Sequence, residues 1–191
     1  MKERPIIFSA AMVRAILDER KTMTRRLAWR SSANADPTMG DINKPTIWQR
    51  AEPGDRLWVR EAHYVWSAGY KDGSGRNISY RATEPEAPTT WTPSIHMPRW
   101  ASRITLEVTV VRVERLQDIS RTDCIAEGPY VADQPSQIDG GTMVWPDPNK
   151  PWLMSTPRAW YRELWGALHG SDSWDANPEV AVINFKRVPQ P

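Results

Sequence analysis

The segment Arg20-Lys21-Thr22-Met23-Thr24-Arg25-Arg26 gathers the side chains of this chain best suited to hold an anion. Between Arg14 and Arg30 stand Arg14, Arg20, Lys21, Arg25, Arg26 and Arg30, opposed only by Asp18 and Glu19. Clustered ammonium and guanidinium groups suit a phosphate or another anionic group. The same composition also describes a solvated helix end with its flanking loop. Net charge is +2, from 25 Lys and Arg against 23 Asp and Glu, which is too balanced to indicate nucleic acid by itself. His63, His96 and His169 are too scattered to suggest a metal site, and the lone Cys124 excludes an internal disulfide and a multi-cysteine zinc site. Cys124 reads as a small core residue. No cofactor and no metal are expected.

The elements that must position this segment follow from periodicity and punctuation. Pro5-Ile6-Ile7-Phe8 reads as a lead-in strand. Ser9 then offers a helix cap, and Ala10 to Arg20 carries Val13, Ile16 and Leu17 at helical spacing, so a helix ends in the basic segment. Glu52-Pro53-Gly54-Asp55 signals a turn before a strand over 56–62. A further strand is expected over 77–82. The alternation of Ile104, Leu106, Val108 and Val110 with Thr105, Glu107 and Thr109 makes 103–116 the strongest strand of the chain. Ser120 caps a short helix that reaches Glu127 and stops at Gly128-Pro129. Thr156-Pro157 opens the best helix, with Trp160, Leu164, Trp165 and Leu168 as its buried stripe and Gly170 at its end. Residues 180–188 close the chain as a strand.

Seventeen prolines and ten glycines favour many turns and short elements. Loop insertions are expected near 31–47, 66–100 and 129–155, within one domain spanning 1–191. No tandem βαβ units appear, which argues against a doubly wound sheet and for an α+β fold: a small mixed barrel with peripheral helices and long Pro-rich loops. Of the eleven tryptophans, Trp58, Trp100, Trp160 and Trp165 are assigned to the core. Trp29, Trp48, Trp91, Trp145 and Trp152 stand in polar or Pro-rich stretches, where they close loops or offer stacking platforms. No apolar run follows the charges of the first eight residues, and no run of about 18 apolar residues occurs. A cytoplasmic location away from membranes is the expectation, with a monomer as the default state.

Several of these segments together resemble the ASCH family of the PUA-like superfamily. Its signature after the first helix is Gly-x-Lys-x-x-Glu-x-Arg. Here Lys21 and Arg26 keep their places, while Glu19 replaces the glycine and Thr24 the acid. Pro53 to Glu61 looks like the family's Gly-Asp strand, and Ile183-Asn184-Phe185-Lys186 like its closing strand. The loop from Pro93 to Arg103 is similar to one in a phage and prophage subgroup. The resemblance implies a PUA-like barrel. A small bacterial ASCH protein that hydrolyses N4-acetylcytidine also carries Lys-x-x-Thr at this motif, and is understood to use the lysine, the threonine and a glutamate from the helix after its long strand. Aligning Leu116-Gln117-Asp118-Ile119 with the corresponding stretch brings Glu127 onto that glutamate.

The chemistry so implied is amide hydrolysis, which needs a nucleophile, a proton acceptor and a proton donor for the leaving amine. Thr24 is inert unless a base reaches it. Lys21 can be that base only if burial or its cationic neighbours lower its pKa, and Glu127 would deliver the proton. Residues 21 and 24 are three apart, so a regular strand through both would send them to opposite faces; the segment has to bend. Arg20, Arg25, Arg26, Arg60, Tyr64, His96 and Arg99 are the candidate substrate contacts, and the partner is a modified nucleoside or RNA. Two other classes stand beside this reading: an RNA-binding PUA-like module, compatible with basic residues among aromatics, and a ribonuclease. The latter lacks an obvious carboxylate cluster for a divalent ion. A phage structural role would go without coiled-coil or repeat signals.

Overall fold

The structure, a computed structural model, describes residues 1–30, 44–66, 77–86, 90–132, 141–147, 149 and 154–189. The insertions expected at 31–47, 66–100 and 129–155 lie partly outside the described residues. In chain order the strands and helices are β1 (Glu3–Ile7), α1 (Ala10–Leu17), β2 (Met23–Leu27), β3 (Trp29–Arg30), β4 (Lys44–Pro45), β5 (Arg56–Arg60), β6 (His63–Trp66) and β7 (Asn77–Tyr80). They continue with β8 (Thr105–Arg115), α2 (Arg121–Ala126), β9 (Tyr130–Val131), β10 (Val144–Trp145), α3 (Pro157–His169) and β11 (Glu179–Val188). Helices and largely antiparallel strands are mixed, an α+β composition, and no closed barrel is found among the described strands. None of the described helices is long and apolar enough to cross a membrane.

By its internal contacts the chain divides into two compact units: residues 1–19, 54–107 and 186–191 form one, and residues 20–53 and 108–185 the other. In the first, β1 runs parallel to β5 from Glu3 opposite Arg56 to Ile7 opposite Arg60, and β5 pairs antiparallel with the start of β8. Gly54 turns the chain into β5 at φ 88° with open space where a Cβ would stand, so backbone conformation, not crowding, favours glycine here. The next residue, Asp55, is buried and accepts from the Lys2 amide at 2.7 Å and from Arg4 at 3.1 Å. This ties β1 to the turn, as a buried carboxylate requires. α1 is capped by Ser9, whose hydroxyl accepts from the Met12 amide. It ends at Leu17, short of the expected Arg20, because Glu19 takes a left-handed φ of 61°.

In the second unit, β11 pairs antiparallel with β2, with Val180 opposite Leu27 and Asn184 opposite Met23. Its core gathers Met23, Leu116, Ile119, Cys124, Val144, Trp160, Tyr161, Trp165, Trp174, Val180 and Val182. α3 begins where Thr156 accepts from the Ala159 amide, with Pro157 at its first position, and stops at Gly170, whose φ is 96°.

Two burial expectations are corrected. Trp100 is exposed, because the 3-10 turn Arg99–Ala101 is a single turn and buries only Ala101. Leu168 is exposed near the end of α3, and Tyr161 joins Trp160 and Trp165 in the stripe instead. Leu168 shares the face of Trp160, Tyr161 and Trp165, so its exposure reflects its place in the last turn of the helix and not a turned stripe. The alternation along β8 also stops early: Leu106 and Val108 are buried, but Val110 and Val113 are exposed.

Candidate functional site

All residues of the site belong to the second unit, and it is assembled around the C-terminal end of α2. A helix leaves its last carbonyls without intrahelical partners, and here Thr22 and Lys21 take two of them, while Arg20 takes the carbonyl just beyond the cap. The Thr22 amide donates to Ala126 O at 3.0 Å, Lys21 Nζ to Glu127 O at 3.1 Å, and an Arg20 guanidinium nitrogen to Gly128 O. Cations at a helix C-terminus also meet the negative end of the helix dipole. The left-handed Glu19 turns the chain so that residues 20–22 can run along the helix end before β2 starts at Met23. Lys21 thus precedes the strand, and Thr24 lies within it.

Lys21 and Glu127 meet directly. Lys21 Nζ donates to Glu127 Oε2 at 2.5 Å, with the two side chains only 0% and 3% exposed. Glu127 reaches this point because it is the C-cap of α2, held by its own amide donating to Asp123 O at 3.1 Å. Removal from water disfavours the charged amine. Burial is the largest influence on Lys21 and lowers its pKa from the ordinary 10.5; the attraction of Glu127 opposes this, and Arg26 and Arg25 push further down. The other carboxylate oxygen, Glu127 Oε1, is buried without a hydrogen bond among the described residues; Arg25 Nη1 stands 3.5 Å away, an electrostatic contact too long for a good hydrogen bond.

Arg25 is itself fully buried and links three carboxylates. Its Nη2 donates to Glu114 Oε1 and to Asp123 Oδ2, both at 2.7 Å. Arg112 closes the arrangement, donating from Nε to Glu114 Oε2 at 2.8 Å and from Nη2 to Asp123 Oδ2 at 2.5 Å. Arg112 also donates to Asn184 Oδ1 at 3.3 Å. Over the same cluster lies Tyr161 of α3, its ring 5.8 Å from the Arg25 guanidinium carbon. Burial, then the charge of Glu127, hold the Tyr161 phenol well above its ordinary value of 10.0.

Of the residues expected at the site, Lys21, Arg25 and Glu127 are in contact. Thr24 is buried beside them in β2, opposite Ile183. Met23 and Arg25 share one face of that strand, with Arg25 Nη1 3.2 Å from Met23 Sδ, so alternation sends the Thr24 hydroxyl to the other face. Among the described residues it is hydrogen-bonded to neither Lys21 nor Glu127. Arg20 lies over the Tyr130 ring at 3.7 Å and Arg26 over that of Trp48 at 5.8 Å.

The remaining four candidates belong to the first unit. Arg60 donates to Ile95 O; Arg99 pairs with Glu3 at 3.2 Å; Tyr64 packs edge-on to Trp66 at 4.9 Å; and His96 is exposed in a 3-10 turn.

Sequence reading missed Arg112, Glu114, Asp123 and Tyr161 as members of the site. Arg112 and Glu114 did leave a signal, two opposite charges at i and i+2 in a strand and therefore on one face. The second unit also contains a surface pocket of about 230 Å³ between Ile119, Arg121, Thr142, Thr156 and Arg158, which shares no residue with the Lys21 cluster. No family model, no curated protein and no solved structure matches the chain.

Proposed function

We propose that the chain is an amidohydrolase that removes an acyl group from N4-acylated cytidine or a closely related modified nucleoside. The observation that carries this reading is the buried 2.5 Å contact between Lys21 Nζ and Glu127 Oε2. A buried Lys–Glu pair can hold its proton on either partner, because burial opposes the charge separation that water would favour. In the reactive form Lys21 is a neutral amine and Glu127 carries the proton. The Thr24 oxygen attacks the acyl carbon while its proton passes to Lys21. Glu127 protonates the leaving N4 nitrogen, and cytidine departs from an acyl-threonine. Water then attacks the acyl carbon and gives a proton to Glu127; Lys21 returns its proton to the Thr24 oxygen, and the carboxylic acid leaves. Both side chains end as they began. Hydrogen bonds of this kind often close only around the substrate; for Thr24 this requires β2 to turn locally and bring its hydroxyl from the opposite face to Lys21.

The identity of the substrate rests on the resemblance of Lys21-x-x-Thr24 and Glu127 to the ASCH acetylcytidine hydrolase. The same resemblance carries the proposal of a single PUA-like barrel domain and a prophage origin. Incubation with N4-acetylcytidine tests the reading. Cytidine should accumulate with the wild-type protein, and no release above that of a Lys21→Ala variant would sink it.

An RNA-binding module is the second reading, favoured by the guanidinium–aromatic contacts Arg20–Tyr130 and Arg26–Trp48. Basic side chains beside aromatic rings are the combination that single-stranded RNA sites use. Binding of short RNA that weakens steeply with salt and is lost in an Arg20→Ala/Arg26→Ala variant, without turnover of any acylated nucleoside, would decide for it.

A further inference from the structure

Arg25, Glu114, Arg112 and Asp123 form a closed ring of ion pairs, each carboxylate touching both guanidinium groups at 2.5 to 2.8 Å. Such a ring is costly to build into a protein. Arg25 is fully buried, while Glu114 and Asp123 are 18% exposed, and the desolvation of buried ion pairs commonly cancels their attraction. Stability is therefore a poor explanation for four charged residues drawn from β2, β8 and α2. Their placement supplies another. Arg25 is the one member of the ring that also approaches Glu127, on the oxygen that Lys21 leaves open.

We infer that the ring is a positioning device for the Lys21–Glu127 pair, acting through Arg25, and that its charge balance sets whether Lys21 carries a proton. The inference rests on the hydrolase reading for its chemical purpose, although its physical content does not. With Lys21 and Glu127 the ring makes a group of three cations and three carboxylates, Lys21, Arg25 and Arg112 against Glu114, Asp123 and Glu127, with no net charge. Two fixed hydrogen bonds to Glu114 and Asp123 prevent the Arg25 guanidinium from swinging onto Glu127 as a bidentate partner. A bidentate clamp would occupy both carboxylate oxygens and leave no lone pair to carry a proton. Held at 3.5 Å, Arg25 orients Glu127 and leaves Oε1 able to accept one.

The groups that act on Lys21 are Glu127 from the end of α2 and Arg25 and Arg26 from β2. Tyr161 of α3 faces Glu127 across the same cluster. Removing positive charge makes it easier for Lys21 to hold a proton, and removing negative charge makes it harder. Arg25→Gln and Asp123→Asn should therefore move Lys21 in opposite directions, a pattern that loosened packing does not produce.

Lys21 is one of six lysines in the chain, so its ε-carbon can be followed by NMR in protein labelled at lysine and assigned with Lys21→Met. The titration of Lys21 should move up by about one pH unit in Arg25→Gln and down, by less, in Asp123→Asn. Glu114→Gln should move it the same way as Asp123→Asn, which keeps the test available if Arg25→Gln does not fold. The acid limb of the turnover profile should follow these shifts. A Lys21 titration that stays in place, or moves the same way in all the variants, overturns the inference. Absence of turnover in the wild-type protein would overturn the hydrolase reading alone, since the NMR titration needs no substrate.

Discussion

Lys21 Nζ stands 2.5 Å from Glu127 Oε2, 106 residues away in the chain, with both side chains out of solvent. Nothing in elementary energetics makes such a pair a good stabiliser, because two charges must leave water to form it. Each partner, however, makes the other tolerable. Removing one leaves a lone buried charge, which costs about 3–5 kcal/mol. Lys21→Met and Glu127→Gln should each destabilise the fold by that order in urea unfolding, and the double variant Lys21→Met/Glu127→Gln by clearly less than their sum. Strict additivity would show that the two side chains do not interact.

The pH dependence of stability follows from the direction of the Lys21 shift. Its folded pKa lies below the ordinary 10.5, so in the alkaline window under that value the unfolded chain binds more protons than the folded one. Lys21 therefore contributes stability that grows as pH rises through the folded pKa and is lost as pH falls through it. Tyr161, raised above 10.0, and Cys124, raised from 9.0 to about 11, act the other way as their unfolded forms ionise. The difference between wild type and Lys21→Met isolates the first effect. It should slope in favour of wild type with rising pH over this window, and a flat difference would count against a depressed amine.

Cys124 sits in the core of the second unit with its thiol pushed up from 9.0 to about 11, chiefly by burial. The thiolate is the reactive form. Iodoacetamide at neutral pH should leave the folded protein unmodified and label it fully after unfolding in urea. Rapid labelling of the native protein would place the thiol in a different environment.

Local rules made parts of the fold legible and left the centre of the site dark. Thr156-Pro157 and Gly170 bracketed α3 because caps and a left-handed stop are written in residue types at the helix ends. The length of β8 was legible from its alternation, but its burial was not: Val110 and Val113 are exposed because a strand's neighbours, unlike its period, are not written in the strand. Lys21 and Thr24 were visible through a motif. Glu127 was reached only by aligning a dissimilar stretch, and its place follows from the C-cap of a six-residue helix. The ring of Arg25, Glu114, Arg112 and Asp123 joins positions 89 and 98 residues apart, and only the packing of α2 against the strands brings them together.

The capping contact of α3 gives a control away from the chemistry. Thr156→Ala removes the hydroxyl that accepts from the Ala159 amide at 3.3 Å. It should cost about 1 kcal/mol and leave the Lys21 titration unchanged. A shifted titration would mean that α3, which carries Tyr161, sets the site more directly than the ring does.

Hydrolysis by Lys21, Thr24 and Glu127 is tested by the rate of cytidine release from N4-acetylcytidine by wild type and by Lys21→Met, Thr24→Val and Glu127→Gln, each checked for folding by circular dichroism. Loss of a base or a proton donor typically lowers a rate about 10²- to 10⁴-fold. Losses of that order are expected in Lys21→Met and Glu127→Gln, and no detectable release by Thr24→Val. Wild-type release that survives Thr24→Val or Glu127→Gln undiminished would contradict hydrolysis by these three residues.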